Sequence, residues 1–448
     1  MKSRWLSILM VLALAVAGLT ANVAIAQTTG DIDGTVTDSN NAPLPGTSVT
    51  ITSPALQGTR TAVTDAAGRF RFPALPSGIY TVTAALSGFT KAEKKNVRVS
   101  IGAVASVPVQ LSVSVKEEVV VTGEAPVIDT AKTTIGVSGS SEQIQRLPLA
   151  RNFVSVATTA PGTGTDNSGG ITFYGATGLE NQYIIDGVNT TGIKIGNQGK
   201  TLTNEFVQEV EVKSGGYEAE YGRALGGTIN VVTKSGGNEF HGDLFGYYDN
   251  KNLATNDKHS ADRTAVGGSQ LVLPTRYDFG ADLGGYFVKD RLWFFGAVNR
   301  VSRDQDYVRN TGINFTSTGA LDTTKGVGGF NTENGTDETR TTLYSGKLTF
   351  RLGEAHTISA SVFGDPGTFN GRQTTIIGPD SAVLYETKQG GTDIALKYDG
   401  IFGTSFLASA QYSHHEEKNE NTSPFENTLG FREFRGGRAY APVGSGPL

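Results

Sequence analysis

Beyond Gly237 apolar and polar residues alternate with a period of two, segment after segment, and after the first 26 residues no stretch approaches 18 continuous apolar residues. Phe240, Gly242, Leu244, Gly246 and Tyr248 share one face against His241, Asp243 and Asp249. Tyr277, Phe279, Ala281, Leu283, Gly285 and Phe287 oppose Asp278, Asp282 and Gly284. Tyr344, Gly346, Leu348, Phe350 and Leu352 oppose Ser345, Lys347, Thr349 and Arg351, and Ile394, Leu396 and Tyr398 oppose Asp393, Lys397 and Asp399. Each such strand has a face for oil and a face for water. A bilayer offers no partner to unpaired backbone groups, so a chain of this pattern can cross one only as a closed barrel.

A water-soluble sandwich alternates in the same way, and connection lengths separate the two. Lys289-Asp290, Gly353 to His356 and Phe402 to Thr404 are tight turns, whereas residues 250–275, 304–339 and 365–391 are long and polar. Short turns at one rim and long loops at the other are a membrane-barrel pattern. Trp293-Phe294-Phe295 and Phe431 are placed as interfacial aromatics. About seven strands are counted, whereas bacterial single-chain barrels use even numbers from 8 upward, and the chain ends in Gly444-Ser445-Gly446-Pro447-Leu448. The expectation is a partial barrel from a truncated product.

The N-terminus sets the compartment. Lys2 and Arg4 precede an apolar run from Trp5 to Leu19, and Ala24-Ile25-Ala26 offers small-residue cleavage before Gln27, so residues 1–26 read as a secretory signal peptide. A membrane anchor needs about 20 apolar residues. The chain has no Cys, which excludes disulfides and lipid attachment through a thiol, and its net charge of −5 has no basic run that would suit nucleic acid.

Residues 30–113 read as a small β-sandwich of short strands with explicit turn chemistry at Pro45-Gly46, Asp65-Ala66-Ala67-Gly68 and Pro76-Ser77-Gly78. Gly34-Thr35-Val36-Thr37-Asp38, Pro43-Leu44-Pro45-Gly46, Thr64 to Phe70, Gly78-Ile79-Tyr80 and Ser87-Gly88-Phe89 resemble the carboxypeptidase regulatory-like domain along its whole length. Peptidase chemistry does not follow. A zinc site needs a further His after His414-His415-Glu416-Glu417, and none follows, so that cluster reads as a solvated strand end. Gly199-Lys200-Thr201 lacks the earlier glycine and the leading strand of a phosphate loop. No catalytic residue, metal site or cofactor is assigned, and the chain is read as not an enzyme.

Residues 116–125 follow: an acidic pair, Glu117-Glu118, then the β-branched run Val119-Val120-Val121-Thr122, closed by Gly123 and Pro126. Such a run suits strand addition to another protein's sheet. It also suits the last strand of the sandwich or a linker. Residues 126–237 are mixed α/β, with a short helix from Ser141 stopped at Leu147-Pro148, a strand and turn at Tyr183-Ile184-Ile185-Asp186-Gly187-Val188, and a strand at Phe206 to Val212. They close on Tyr221-Gly222, Gly226-Gly227 and Ile229-Asn230 before Thr233-Lys234.

This order of motifs is very similar to the plug domain of TonB-dependent receptors, and residues 116–125 look like their TonB box. With Leu147-Pro148-Leu149 and Arg151-Asn152-Phe153, the resemblance is to the Oar-like branch. One departure is Lys213-Ser214-Gly215-Gly216, where the family often has Arg-Gly-Pro, which weakens transfer of a specific plug-to-barrel ion pair. The resemblance implies an outer-membrane receptor of a Gram-negative-type bacterium, mainly β, with residues 238–448 as the first strands of a barrel. It implies TonB and its inner-membrane energising complex as partners, gripping Glu118, Val119, Val120, Val121 and Thr122. Outer-membrane lipid and an unidentified extracellular substrate complete the partners. Asp186, Gly187, Tyr221, Gly222, Gly226, Gly227 and Asn230 carry the plug motif. Asp243, Asp278 and Asp282 are placed in the lumen as solvating groups. The rival function is an outer-membrane adhesion or signalling protein whose sandwich binds a partner, and a third is a secreted carbohydrate-binding protein.

Overall fold

The computed structural model describes residues 28–113, 119–120, 134–166, 170–192, 196–217, 221–222, 224–253, 270–271, 274–313, 322, 324, 330–353, 355–372, 376–377, 384–402, 406–422, 433–435 and 438–440. The signal peptide, Phe431 and most of residues 116–125 lie outside them.

The first unit is the sandwich. Strands β1 (Gly30–Thr37), β4 (Arg69–Leu75), β7 (Val104–Ser106) and β8 (Val109–Gln110) form one sheet. The second has the order β3-β2-β5-β6-β9, from β2 (Ser48–Thr52), β3 (Thr59–Val63), β5 (Gly78–Ala85), β6 (Ala92–Val99) and β9 (Val119–Val120). Inward residues alternate along each strand, and Ile32, Val36, Ile51, Phe70, Tyr80 and Val97 are buried in the core between the sheets. The β3–β4 turn forms as its sequence demands. Gly68 takes φ +72°, and the Asp65 carboxylate accepts the amides of Ala67 (2.9 Å) and Arg69 (2.8 Å).

The second unit is built on a five-stranded sheet of order β10-β15-β16-β13-β14: β10 (Ile135–Ser140), β13 (Gln182–Ile185), β14 (Val188–Asn189), β15 (Val207–Gly215) and β16 (Thr228–Thr233). A hairpin of β11 (Thr163–Thr165) and β12 (Ile171–Phe173) lies beside it. The helix α1 (Ser141–Arg146) starts where the Ser140 amide donates to the Gln143 side chain (3.1 Å). It stops at Leu147, held extended (ψ 143°) by the proline that follows. Phe153, Val156, Phe173, Ile185, Phe206 and Val210 fill the core. Barrel residues Leu343, Phe363 and Ala395 belong to the same buried cluster.

That sharing fixes the third unit around the second. One sheet runs in the order β17-β19-β20-β21-β22-β26-β27. Its strands are β17 (Leu244–Asp249), β19 (Thr275–Val288), β20 (Leu292–Ile313), β21 (Phe330–Arg351), β22 (His356–Gly364), β26 (Thr392–Phe402) and β27 (Phe406–His414). Shorter strands extend it: β18 (Gln270–Leu271), β23 (Gly367–Arg372), β25 (Leu384–Gly390) and β28 (Lys418–Thr422). A separate small sheet holds β24 (Ile376–Ile377), β29 (Glu433–Arg435) and β30 (Arg438–Tyr440). Among the described residues β17 and β27 do not pair with each other, so the wall is open.

The two faces of the wall are as the alternation requires. Leu244, Phe279, Leu283, Leu348 and Leu396 point outward and are exposed, while Asp278, Asp282, Ser345, Thr349 and Asp393 point inward and are buried. No helix among the described residues is long and apolar enough to cross a membrane, which says nothing of strands.

Three local expectations change. Residues 304–313 and 330–339 continue β20 and β21 rather than forming a loop, in ladder register out to Ile313 and Phe330. Residues 367–372 and 384–390 form a hairpin that pairs with β21 and β28. Trp293 and Phe295 are buried on the inner face, and only Phe294 shares the outward side, stacked on Phe287 at 4.6 Å between ring centroids. The Trp293 indole donates to Asn238 (2.8 Å), a polar partner that the inner face supplies and lipid does not.

Candidate functional site

Four basic side chains tie the plug to the wall. Arg151, in the loop after α1, donates to Glu205 (Nε, 3.0 Å) and Thr203 (3.3 Å) within the plug and to Asp278 on β19. Its guanidinium lies over the Tyr247 ring of β17, 3.6 Å from the centroid. Asp278 also accepts from Arg276 (2.9 Å) and Asn299 (2.6 Å). Lys234, just past β16, bonds Asp282 at 3.1 Å. Asp278 and Asp282 are therefore clamps and not solvating groups. A lumen filled by a plug leaves them no bulk water, and plug cations are their partners instead.

Lys347 of β21 reaches the opposite way, into the plug turn between β13 and β14. There it bonds Asp186 (2.9 Å) and the Thr233 carbonyl (3.0 Å). Asp186 and Gly187 form that turn with φ +48° and +78°, a pair of left-handed residues that matches the twist of a two-residue hairpin. The Asp186 carboxylate accepts the Thr233 amide (3.0 Å) and hydroxyl (2.6 Å), so one side chain joins β13, β16 and the wall.

Lys200, whose side chain is fully buried, lies 3.7 Å from both Asp365 and Asp393 and donates to the Glu416 carbonyl. His415 Nδ1 sits 2.6 Å from Asp393, and the Glu416 amide donates to the same carboxylate (3.2 Å). His415 is thus a partner of the clamp, not part of a solvated strand end. Among the described residues no group of three or more His, Cys, Asp or Glu side chains is set to hold a metal ion.

The remaining motif residues have structural work. Gly227 lies against Phe173, with a Cβ at that position falling 2.4 Å from the ring, and its amide donates to Asn181 (2.9 Å). A Cβ on Gly226 would fall 2.4 Å from the Asn181 oxygen. Tyr221 is buried, accepts from Lys213 (3.1 Å) and lies edge-on to Tyr217. Lys213 thus serves inside the plug. Asn230 is buried opposite Glu211 in the β15–β16 register. Nothing within 4 Å of Gly222 explains a glycine there. Of the five residues assigned to TonB, Val119 and Val120 are described, and they pair in parallel with Ala92 and Glu93 of β6. Glu118, Val121 and Thr122 lie outside the described residues.

The alternation of strands showed which acids face inward but not what meets them. Arg151, Lys200 and Lys347 were legible as residues of a motif, a rejected phosphate loop and an inward strand face, and their roles emerge only when plug and wall are placed together. On the long-loop side of these contacts lies a polar cavity of about 410 Å³, lined by Arg151, Asn152, Gln198, Thr201, Asn299 and Gln389 among others. The Asn299 side-chain oxygen is buried there without a hydrogen-bond partner among the described residues.

Comparison with known proteins agrees with this architecture. The Carboxypeptidase regulatory-like domain family matches residues 31–112, the TonB-dependent Receptor Plug Domain residues 129–228, and the Outer membrane beta barrel domain residues 232–318. The TonB-dependent transporter Oar of Myxococcus xanthus is 35% identical over 419 residues, covering 86% of this chain and 39% of that protein. The Ferrienterobactin receptor of Escherichia coli (strain K12) is 31% identical over 131 residues, 24% of this chain and 17% of that protein. Among solved structures, the outer membrane transporter YddB from Escherichia coli aligns with a TM-score of 0.47 at 16% identity, covering 62% of this chain and 38% of that one. The chain spans 39% of the length of its Myxococcus relative. A regulatory-like sandwich, a receptor plug and an outer-membrane wall in this order, with that relative, make the chain a member of the TonB-dependent outer-membrane receptors, located in the outer membrane of a Gram-negative cell.

Proposed function

We propose that the chain acts in energised uptake of an extracellular substrate across the outer membrane, with residues 126–237 as the gate, and that it is not an enzyme. The observation that carries this reading is the ionic seat of the plug. Arg151, Lys200, Lys234 and Lys347 hold the plug inside a barrel wall through ion pairs that, with the apolar contact at Leu343, Phe363 and Ala395, must part for the plug to move. Uptake requires such parting, because a seated plug closes the route. Glu118, Val119, Val120, Val121 and Thr122 are the handle that TonB takes from the periplasm, and the inner-membrane complex supplies the energy, so no cofactor is needed. Substrate enters from the long-loop side, where the cavity beside Asn299 offers unspent hydrogen-bonding capacity.

Crosslinking from a Val120→Cys variant to periplasmic TonB tests the handle, since a chain with no native Cys gives no background thiol. An adduct that grows with substrate supports transport, and no adduct from folded protein removes it. Deleting residues 118–122 separates this reading from an adhesion or signalling role: transport loses uptake, whereas a protein that only anchors the sandwich keeps its function.

A further inference from the structure

The β6–β9 pair gives one segment two roles. Sequence makes residues 118–122 a handle for TonB, and the fold makes Val119–Val120 the edge strand of the sandwich. We propose that β6 is the resting dock of the TonB-box strand, so that the sandwich and TonB compete for it and TonB must strip β9 from β6 before it can pull on the plug. This rests on the handle reading given above.

Three observations converge on it. First, among the described residues β6 pairs with β5 on one side and, at Ala92 and Glu93, with β9 on the other, so β6 is the sheet edge to which β9 is added. Bare edges invite strand addition, the mode by which a box segment would also bind TonB.

Second, the tether is short. The Thr90 amide donates to the Ser112 carbonyl (2.8 Å) and Phe89 bridges Val113, which holds the chain at the entrance of β6. Residues 114–118 then separate that anchor from β9. The dock therefore competes from within the same chain against a free TonB domain.

Third, the dock is itself seated on the gate. Gln57 donates to the Gly236 carbonyl (3.1 Å) and the Ile101 amide to Glu209 of β15 (3.2 Å). Arg98 of β6 donates to Gln143 of α1 (2.8 Å), and Arg351 of the wall donates to the carbonyls of Gln57 (3.3 Å) and Thr59 (3.2 Å). These contacts lie on the side of the tight turns, opposite the long loops. The sandwich therefore covers the inner mouth while it holds the handle.

The test places Cys at the register partners Glu93 and Val120 in the full, otherwise Cys-free chain in outer membranes. Paired strands bring Cα atoms within disulfide reach. The expected result is an intrachain disulfide in the Glu93→Cys/Val120→Cys variant, identified by peptide mass, and none in an Arg98→Cys/Val120→Cys control. Binding of the purified periplasmic TonB domain should fall at least tenfold in the oxidised form and return on reduction. Failure to form the disulfide, or unchanged TonB binding once it has formed, overturns the proposal. If the disulfide forms but even the reduced protein binds no TonB, the handle reading fails and the competition with it, while the dock stands. Should the double variant misfold, deletion of residues 118–122 serves instead: amide exchange along β6 should quicken at least tenfold, and unchanged exchange overturns the dock.

Discussion

Lys200 shows how far a single side chain depends on its setting. Its ammonium is fully buried, and burial of a charge is tolerated because Asp365, Asp393 and the Glu416 carbonyl surround it. Lys200→Met keeps the volume and removes the charge, leaving two inward carboxylates without their cation. The expected cost is about 3–5 kcal/mol in the seating of the plug. It should appear as faster proteolysis of residues 126–237 in intact outer membranes, with no change in the sandwich. At the surface the same chemistry acts more weakly. The Arg69 amide, followed by the Arg69 side chain and the Ala67 amide, holds the Asp65 carboxyl below the usual carboxylate range. A lowered folded-state pKa contributes stability that is present above the unfolded pKa, near 4, and is lost as pH falls through the lowered value. Exchange at the Ala67 and Arg69 amides, corrected for intrinsic rates, should rise on acidification below about pH 4. Asp65→Ala should flatten that dependence.

At the scale of elements, strands were legible wherever the turn between them was chemically explicit. The strands β2, β3 and β5 form beside the turns at Pro45-Gly46, Asp65 to Gly68 and Pro76 to Gly78, which leave few other chain paths. The long polar connections were not legible in this way. Residues 304–313 and 330–339 show no apolar alternation in sequence, and they pair by continuing the ladder of the wall below. Glycines of the plug close are set by contact. Gly227→Ala puts a methyl into the Phe173 ring, and overpacking of this kind costs about 1–3 kcal/mol. A lowered unfolding midpoint for the plug, with sandwich stability unchanged, is the expected measurement.

Across the whole molecule, the two faces of the wall obey different solvents. Leu283 points outward on β19, one residue from the buried Asp282 that clamps Lys234. Leu283→Arg should therefore cost about 2–4 kcal/mol of stability in a bilayer and leave the plug contacts intact. Destabilisation that is equal in water-soluble and lipid-embedded preparations would show that this face does not meet lipid. The sandwich, plug and wall also form a single stack, with the regulatory-like domain at the tight-turn rim and the polar cavity at the other. On the proposed function, ligand and TonB approach the plug from opposite ends.

Sequence alone determined the compartment, the order of the three units and which strand residues face lipid, because export signals, turn chemistry and a period of two are local properties of the chain. Tertiary structure decided what the inward charges do. Arg151, Lys200, Lys234 and Lys347 lie up to 193 residues from the acids they meet in the case of Lys200 and Asp393, a separation that no local pattern encodes. Their pairing follows from nesting one unit inside another, where water is displaced and each buried charge needs an opposite one.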